Sequence, residues 1–327
     1  MGPVARHTYS VEGQGIRVVV LAGGFGGARM SHGFELLGER VALSVIVNTA
    51  DDLELHGLLV SPDLDTVMYT LAGVANDATG WGVRDETWSA AQMLARYGAP
   101  TWFRLGDRDL ATHILRTAAV RDGARPTEVA ATLARALGVR ARLLPMTDQQ
   151  VSTKVRTADG WLDFQDYFVR RGHADDVLEL RFAGAADARP TPEVIEAVRA
   201  ADLVVIAPSN PFVSVGPILA VPGLRKLLDE TAAPVVAVSP IVGGAAVRGP
   251  AADMLITLAH LPATAAGVAA YYAATYPGLI DVLVLDNADA EESEAVARTG
   301  VRPLVTNTVI GEPDARRQLA VELLTLA

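Results

Sequence analysis

The chain is organised around Leu21-Ala22-Gly23-Gly24-Phe25-Gly26-Gly27-Ala28-Arg29, which follows Ile16-Arg17-Val18-Val19-Val20 and precedes the segment 30–37. The apolar, β-branched segment before the glycines predicts a buried strand, and the segment after them predicts a helix. Glycines let backbone N–H groups approach an anion, and a helix N-terminus adds partial positive charge. The order strand, glycine turn, helix therefore predicts a phosphate site formed by Gly23, Gly24, Phe25, Gly26 and Gly27. Arg29 adds a formal charge whose fork geometry suits phosphate.

This glycine loop differs from the two common nucleotide-binding patterns. Arg29 stands where the dinucleotide pattern G-x-G-x-x-G requires its third glycine, and no Gly-Lys-Ser/Thr follows as in a P-loop. The alternative interpretation is a tight turn between strand and helix that binds nothing. Four glycines in the five residues 23–27 are more than such a turn needs, which favours a phosphate-bearing ligand.

Composition limits the class of protein. A length of 327 residues permits one large domain or two ordinary ones, and a net charge of −10 argues against a nucleic-acid partner. The absence of cysteine excludes disulfides, thiolate metal ligands and cysteine nucleophiles, and it fits a cytoplasmic protein. Proline and glycine interrupt apolar runs such as 232–247, so we expect no membrane span. Residues 1–15 are polar and aperiodic and predict a loose N-terminal tail.

Four acidic residues follow two predicted turns near the glycine loop. Asp51 and Asp52 come directly after the second predicted strand, 43–47, and Asp63 and Asp65 fall at the start of a predicted helix. Carboxylates at the C-terminal ends of parallel strands lie where open α/β sheets bind ligands. Together they favour a hard cation such as Mg²⁺, which prefers oxygen ligands and accompanies phosphates. The alternative is a set of solvated loop charges with Asp63 as an N-cap.

The remaining chain predicts an α/β fold. Its sheet is expected to be doubly wound and mostly parallel (Rossmann-like), with an inserted smaller α+β segment. We expect a single domain over 16–327, with about 107–185 as the inserted subdomain because strand–helix alternation lapses there. A short strand is predicted at 101–105, and it carries Arg104 just before Gly106-Asp107-Arg108-Asp109. Alternation resumes with the strand 203–206, which leaves Ser209 and Asn210 at its C-terminal end.

Six motifs in this order resemble the CofD/FbiA family, the transferases that build the deazaflavin coenzyme F-420. The resemblance runs through most of the chain from residue 17. Each motif is weak alone, and the set is specific. They are Gly23-Gly24-Phe25-Gly26-Gly27, Asn48-Thr49-Ala50-Asp51-Asp52, Ser61-Pro62-Asp63-Leu64-Asp65-Thr66, Gly106-Asp107-Arg108-Asp109-Leu110-Ala111-Thr112-His113, Met146-Thr147-Asp148 and Pro208-Ser209-Asn210-Pro211.

The resemblance implies a magnesium-dependent transferase that is cytoplasmic and homodimeric. Its acceptor is Fo (7,8-didemethyl-8-hydroxy-5-deazariboflavin), whose ribityl hydroxyl attacks a guanosine-diphospho donor and displaces GMP. The donor carries phospholactate, phosphoenolpyruvate or phosphoglycerate, and the sequence does not choose among them. The implied site residues are Asp51 and Asp65 as catalytic groups, Asp51, Asp52 and Asp65 as metal ligands, Asp65, Arg104, Asp107 and Asp109 as Fo contacts, and the glycine loop with Arg29, Ser209 and Asn210 on the nucleotide side.

Two other functions remain open on the sequence. YvcK-type regulators share this fold and bind nucleotide-sugars, whereas the pairing of Ser61-Pro62-Asp63-Leu64-Asp65 with Gly106-Asp107-Arg108-Asp109 favours a transferase. A nicotinamide oxidoreductase would also begin with a strand, a glycine turn and a helix. The missing third glycine and the Asp51-Asp52 doublet argue against it.

Overall fold

The computed structural model describes residues 15–327, so 1–14 of the predicted N-terminal tail lie outside the described residues. The strands are β1 (Ile16–Ala22), β2 (Val41–Val47), β3 (Leu53–Leu55), β4 (Leu58–Val60), β5 (Arg142–Pro145), β6 (Ser152–Thr157), β7 (Gly160–Asp163), β8 (Glu179–Ala183), β9 (Leu203–Ile206), β10 (Val235–Val238), β11 (Ile241–Val242), β12 (Ala245–Ala246), β13 (Val282–Asp286) and β14 (Arg302–Thr306). The helices are α1 (Gly24–Glu35), α2 (Pro62–Leu71), α3 (Ser89–Arg96), α4 (Asp107–Arg121), α5 (Pro126–Ala136), α6 (Pro192–Ala200), α7 (Gly216–Leu219), α8 (Pro222–Glu230), α9 (Ala251–Thr257), α10 (Ala265–Thr275), α11 (Ser293–Ala297) and α12 (Pro313–Leu323).

Seven parallel strands form the main sheet in the order β14-β13-β10-β9-β1-β2-β5. Strand β1 lies inside it and supplies both cores, because successive side chains of a strand point to opposite faces. Val19 and Leu21 join the hydrophobic cluster on one face, and Val18 and Val20 join the cluster on the other. The predicted doubly wound α/β sheet is confirmed.

The order in which strands are added to the sheet reverses at β1, and this reversal creates the site. From β1 the chain proceeds to β2 and β5 on one side, then returns to β9 on the other. The C-terminal ends of β1, β2 and β9 therefore meet at one edge, where such sheets bind ligands. There the backbone N–H of Asn48 donates to the Ala22 carbonyl at 3.0 Å. The Ser209 hydroxyl donates to the Gly23 carbonyl at 2.8 Å.

The structure shortens the predicted insertion at its N-terminal end. Strand β5 pairs in parallel with β2 and is the edge strand of the main sheet, so residues 107–145 belong to the main fold. The antiparallel sheet β7-β6-β8 is separate from it, and its β6–β7 hairpin is closed at Thr157 and Gly160. Strand β5 has only four residues and follows two successive helices, which hides the strand–helix alternation in the sequence.

The strand predicted at 101–105 is wrong, because this segment is a loop. Its aromatic residues predicted a strand, but they pack through their side chains instead of pairing along a sheet. The Trp102 and Phe103 rings meet edge to face with centroids 5.8 Å apart. The loop leads directly into α4 and carries Arg104 into the cavity described below.

Within residues 15–327, no single helix has both the length and the apolar composition of a membrane span. Only Pro211–Leu219 taken together with Pro222–Glu230 meets those criteria, and the two helices are bent by 87°.

Candidate active site

A cavity of about 410 Å³ lies at the C-terminal edge of the main sheet. The structure brings most of the sequence-predicted residues to its wall. These are Gly23, Gly24, Phe25, Gly26, Arg29, Asp51, Asp65, Arg104, Asp109, Ser209 and Asn210. Three predicted residues, Gly27, Asp52 and Asp107, do not line it.

The glycines of the loop have two separate roles. Gly24 has a φ of +58°, a left-handed conformation that favours glycine, and a Cβ there would lie 3.5 Å from Asp63 Oδ1. A Cβ on Gly26 would lie 2.1 Å from the Pro208 carbonyl oxygen, and one on Gly27 would lie 2.8 Å from the Ala22 Cβ. Gly26 and Gly27 are therefore required by close packing of α1, whereas Gly23 and Gly24 border the acidic centre.

Ser209 and Asn210 fix the loop backbone around the cavity. Besides donating to the Gly23 carbonyl, the Ser209 side chain lies 3.5 Å from the Gly23 amide. The Asn210 side-chain oxygen accepts from the Phe212 amide at 2.9 Å and caps the π-helical turn Pro211–Val215. Both side chains are thus held by the protein itself, and they shape the wall of the cavity.

The acidic centre consists of Asp51 and Asp63, joined by Asn48. The Asn48 side-chain amide donates to Asp51 Oδ2 at 2.8 Å and to Asp63 Oδ2 at 3.0 Å. Asp51 Oδ1 is buried and has no hydrogen-bond partner among residues 15–327. Burial, and then the charge of Asp63, hold the pKa of Asp51 well above its ordinary value. Burial also raises the pKa of Asp63 to about 6.

In the structure the carboxylate that Asn48 joins to Asp51 is that of Asp63, not that of Asp52. Ser61 occupies the N-cap position of α2, so the interpretation of Asp63 as the cap is wrong. The Asp63 side chain turns to Asn48 instead. Asp52 accepts a hydrogen bond from the Ser61 hydroxyl at 2.6 Å, away from the cavity.

Asp65 is part of a buried ion pair. Both of its carboxylate oxygens accept from the Arg116 guanidinium, Oδ2 at 2.9 Å and Oδ1 in a closer contact with Nη2. Arg116 is itself buried on α4, and Asp65 raises its pKa although burial opposes this. The charge of Asp65 is therefore balanced by the protein, in contrast to the charges of Asp51 and Asp63.

Tyr69, Asp109 and His113 continue this buried network along the cavity. The Tyr69 hydroxyl donates to Asp109 Oδ1 at 2.8 Å. His113 Nδ1 lies 3.2 Å from Arg116 Nη1, which can only donate. His113 Nε2 faces Asp109 Oδ1 at 3.3 Å. The network holds Asp65 and Asp109 in fixed orientations at the wall.

One wall of the cavity is aromatic. The Arg104 guanidinium lies over the Trp88 ring, with Cζ 4.2 Å from the ring centroid. Phe164 and Phe168 stack with centroids 5.3 Å apart, and both line the cavity. Flat aromatic surfaces beside a guanidinium suit a flat heteroaromatic ring.

Asp107 does not reach this wall, contrary to the prediction. Its carboxylate accepts from the backbone amides of Ser89 at 2.9 Å and Ala90 at 3.0 Å, and from the Thr87 hydroxyl. These hydrogen bonds lower the pKa of Asp107, beginning with that from Thr87. Asp107 therefore caps the N-terminus of α3.

Several wall residues were missed from the sequence. The sequence places Asp63 among the four acidic residues but not among the implied metal ligands, because a helix start explains an aspartate equally well. Arg248 precedes α9 and lies 4.5 Å from the Phe25 ring centroid, a contact between distant segments that no local pattern reveals. Arg116 and Phe168 likewise meet the site only through the tertiary fold.

Comparison with known proteins places the chain in a family. The family model "2-phospho-L-lactate transferase CofD" matches residues 18–323. The chain is 44% identical to a phosphoenolpyruvate transferase of Streptomyces griseus over 317 residues, which cover 95% of this chain and 98% of the relative. It is 41% identical to a phosphoenolpyruvate transferase of Mycobacterium bovis over 313 residues, or 89% and 94% of the two chains.

A solved structure supports the fold at much lower sequence identity. A UPF0052 family protein of Bacillus halodurans superposes with a TM-score of 0.64 at 15% identity, over 95% of this chain and 99% of that one. The chain belongs to the CofD family. It is a transferase of coenzyme F-420 biosynthesis.

Proposed function

We propose that the protein transfers a phosphoenolpyruvyl or phospholactyl group from a guanosine-diphospho donor to the ribityl hydroxyl of Fo, with release of GMP. The observation that carries the proposal is one cavity that joins three surfaces. These are the glycine loop beside Arg29, the acidic pair Asp51 and Asp63, and the aromatic wall at Arg104. The names of the relatives favour phosphoenolpyruvate as the donor's acid.

The acidic pair fits the magnesium ion that the family implies. Asp51 offers a buried oxygen without a partner, and Asn48 holds the Asp63 carboxylate beside it. Oxygen ligands of this kind suit Mg²⁺, which keeps several waters and usually also binds substrate phosphates. We assign Asp51 and Asp63 as its protein ligands. Mg²⁺ bound there would neutralise charge on the donor's diphosphate.

The chain's own residues mainly position the two substrates. Phosphoryl-type transfer needs in-line alignment and charge stabilisation more than a covalent enzyme intermediate. The bond from the ribityl oxygen to the donor's β-phosphorus forms as the bond to GMP breaks, and the hydroxyl proton passes to a carboxylate. Asp65, held by Arg116, orients that hydroxyl, and Arg104, whose guanidinium lies over Trp88, contacts the deazaflavin ring.

Product mass tests this function directly. The protein is incubated with Fo, Mg²⁺ and each guanylated donor in turn, and the Fo-derived product is measured by mass spectrometry. We expect an Fo adduct carrying the donor's phosphorylated acid, most readily with the phosphoenolpyruvyl donor. Reactions lacking Fo or Mg²⁺ serve as controls. If no donor gives an adduct although Fo fluorescence shows that Fo binds, the proposal is wrong. The protein would then be a binding protein of the regulator type.

A further inference from the structure

Three arginines from distant parts of the chain converge near Phe25. Arg29 lies on α1, Arg248 precedes α9, and Arg316 lies on α12. The Arg29 and Arg248 guanidinium carbons lie 3.8 Å and 4.5 Å from the Phe25 ring centroid. Phe25, Arg29 and Arg248 line the cavity, and Arg316 is buried close enough to Arg29 for its charge to lower the pKa of Arg29. We call Arg29, Arg248 and Arg316 the arginine cluster.

The positive charge of this cluster is not paired in a direct salt bridge within the described part of the chain. None of the salt bridges formed among residues 15–327 includes Arg29, Arg248 or Arg316. Arg316 donates to the carbonyl oxygens of Gly311 at 2.6 Å and Ile310 at 3.3 Å. Neutral carbonyls satisfy its donors without cancelling its charge. Asp77 and Glu312 act on Arg29 and Arg316 only through longer-range charge. Arg248 is exposed and donates to the Thr79 carbonyl at 2.7 Å. A half-buried arginine such as Arg29 and a buried one such as Arg316 are ordinarily paired directly, so the cluster favours an anion from outside.

Arg29 gives an independent indication of a missing ligand. Its Nε atom is buried and has no hydrogen-bond partner among the described residues. Burial, followed by the nearby charge of Arg316, lowers the pKa of Arg29. An unmade hydrogen bond on a partly desolvated cation is costly, and an incoming oxyanion would form it.

The glycine loop touches both the acidic pair and the arginine cluster. Gly24 lies beside the Asp63 carboxylate, whereas the next residue, Phe25, packs against Arg29 and Arg248. The cavity therefore has one centre that attracts a cation and a second that attracts an anion. A donor bound along the glycine loop would meet both centres.

We propose that Arg29, Arg248 and Arg316 form an oxyanion subsite that holds a charged group of the donor not covered by the metal. The group is either a phosphate or the carboxylate of the transferred acid, and guanidinium forks suit both. This identification of the ligand rests on the proposed function. The subsite itself rests on the cluster's unpaired charge and the open Nε of Arg29.

Calorimetry on three variants tests the subsite without requiring turnover. Arg29→Gln and Arg248→Gln each remove one charge, and Arg317→Gln removes an exposed charge adjacent to Arg316 on α12. GDP and the guanylated phosphoenolpyruvyl donor are titrated with Mg²⁺ but without Fo. We expect Arg29→Gln and Arg248→Gln to weaken donor binding by about tenfold or more. Arg317→Gln should bind as the wild type does.

The two ligands distinguish the two sources of the anion. Weaker binding of both GDP and the donor assigns the subsite to a phosphate, and weaker binding of the donor alone assigns it to the carboxylate. Arg29→Lys keeps the positive charge but lacks the planar guanidinium, so it should retain part of the donor affinity. This partial affinity would show that the loss in Arg29→Gln does not come from misfolding. Unchanged affinity in both glutamine variants, an equal loss in Arg317→Gln, or no binding by the wild type would overturn the subsite. Donor binding by the wild type without any Fo adduct would overturn the proposed function alone.

Discussion

Asn48 brings two carboxylates together in a place where neither finds a cation from the described chain. Its amide donates to both Asp51 and Asp63, and burial raises the pKa values of both. A carboxyl with a raised folded-state pKa stabilises the fold at low pH, and this contribution is lost as the pH rises through that pKa. For Asp63 the loss spans the range from its unfolded value to about 6. At neutral pH the metal-free site is therefore destabilising.

Asp63→Asn should separate stability from activity. At about pH 8 and without Mg²⁺, we expect a higher Tm than for the wild type, since the amide cannot ionise. Turnover should fall about a hundredfold or more, because a charge-stabilising ligand is lost. Thermal unfolding and steady-state kinetics measure the two effects.

The exposed Glu54 provides a matched control for that substitution. Glu54→Gln removes one negative charge nearby, and neither Tm nor turnover should change appreciably. A folded Asp63→Asn protein with nearly normal turnover would contradict the role of Asp63 at the metal.

Arg104 should act on the acceptor and not on the donor. Arg104→Ala removes the guanidinium that lies over Trp88, so the KM for Fo should rise by about ten- to a hundredfold while the donor KM stays nearly constant. Arg104→Lys should recover only part of this, because an ammonium lacks the planar fork. Steady-state kinetics with each substrate varied in turn make the comparison. A donor-side defect with a normal KM for Fo would place Arg104 in the other half of the cavity.

At the scale of elements, helix α1 approaches its neighbours closely at three glycines that lack a side chain, one of which, Gly33, faces the Arg316 carbonyl. The Gly26 position faces the Pro208 carbonyl, and the Gly27 position faces Ala22. The same approach places the glycine loop beside Ser209, which hydrogen-bonds Gly23. The loop is therefore both a packing contact and the wall of the cavity.

Gly26→Ala should consequently destabilise the fold before it affects any ligand contact. A Cβ 2.1 Å from a carbonyl oxygen forces a backbone shift, which typically costs about 1–3 kcal/mol. Gly311→Ala is the control, since a Cβ there meets no atom within 4 Å. Denaturant unfolding compares the two variants. Equal stability of both would show that α1 moves freely away from Pro208.

Helix α3 depends on a cap supplied from another element. Asp107 accepts from the first amides of α3, so Asp107→Ala should lower the Tm, and Asp107→Asn should lower it less. The KM for Fo should change far less than in Arg104→Ala. Differential scanning calorimetry and Fo kinetics test this pair. A rise in the KM for Fo as large as that of Arg104→Ala would instead indicate that Asp107 contacts Fo.

At the scale of the whole molecule, the sequence predicts those features of the fold and of the site that depend on residues close together in the chain. The run of β-branched residues before Gly23 predicts β1, and its place before a glycine turn and a helix predicts the parallel architecture. Asp51 is predicted to lie at the site because it follows a strand directly. The parallel sheet then gathers such strand ends at one edge.

The sequence does not predict contacts that depend on distant segments. Asp63 has the same local pattern whether it caps α2 or turns to Asn48, and only the meeting of β2 with α2 decides between them. Arg248 and Arg316 reach the region of Phe25 from the last third of the chain. Strand β5 is missed for a related reason, since its partner β2 precedes it by about a hundred residues.

The most direct test of the central claim is to count GMP released against Fo consumed. The protein is mixed with Mg²⁺ and the guanylated phosphoenolpyruvyl donor, and GMP and Fo are quantified by chromatography with and without Fo present. Direct transfer within one cavity predicts one GMP for each Fo converted, and almost none when Fo is omitted. GMP released at the same rate without Fo, with Fo unchanged, would show a donor hydrolase and contradict the account.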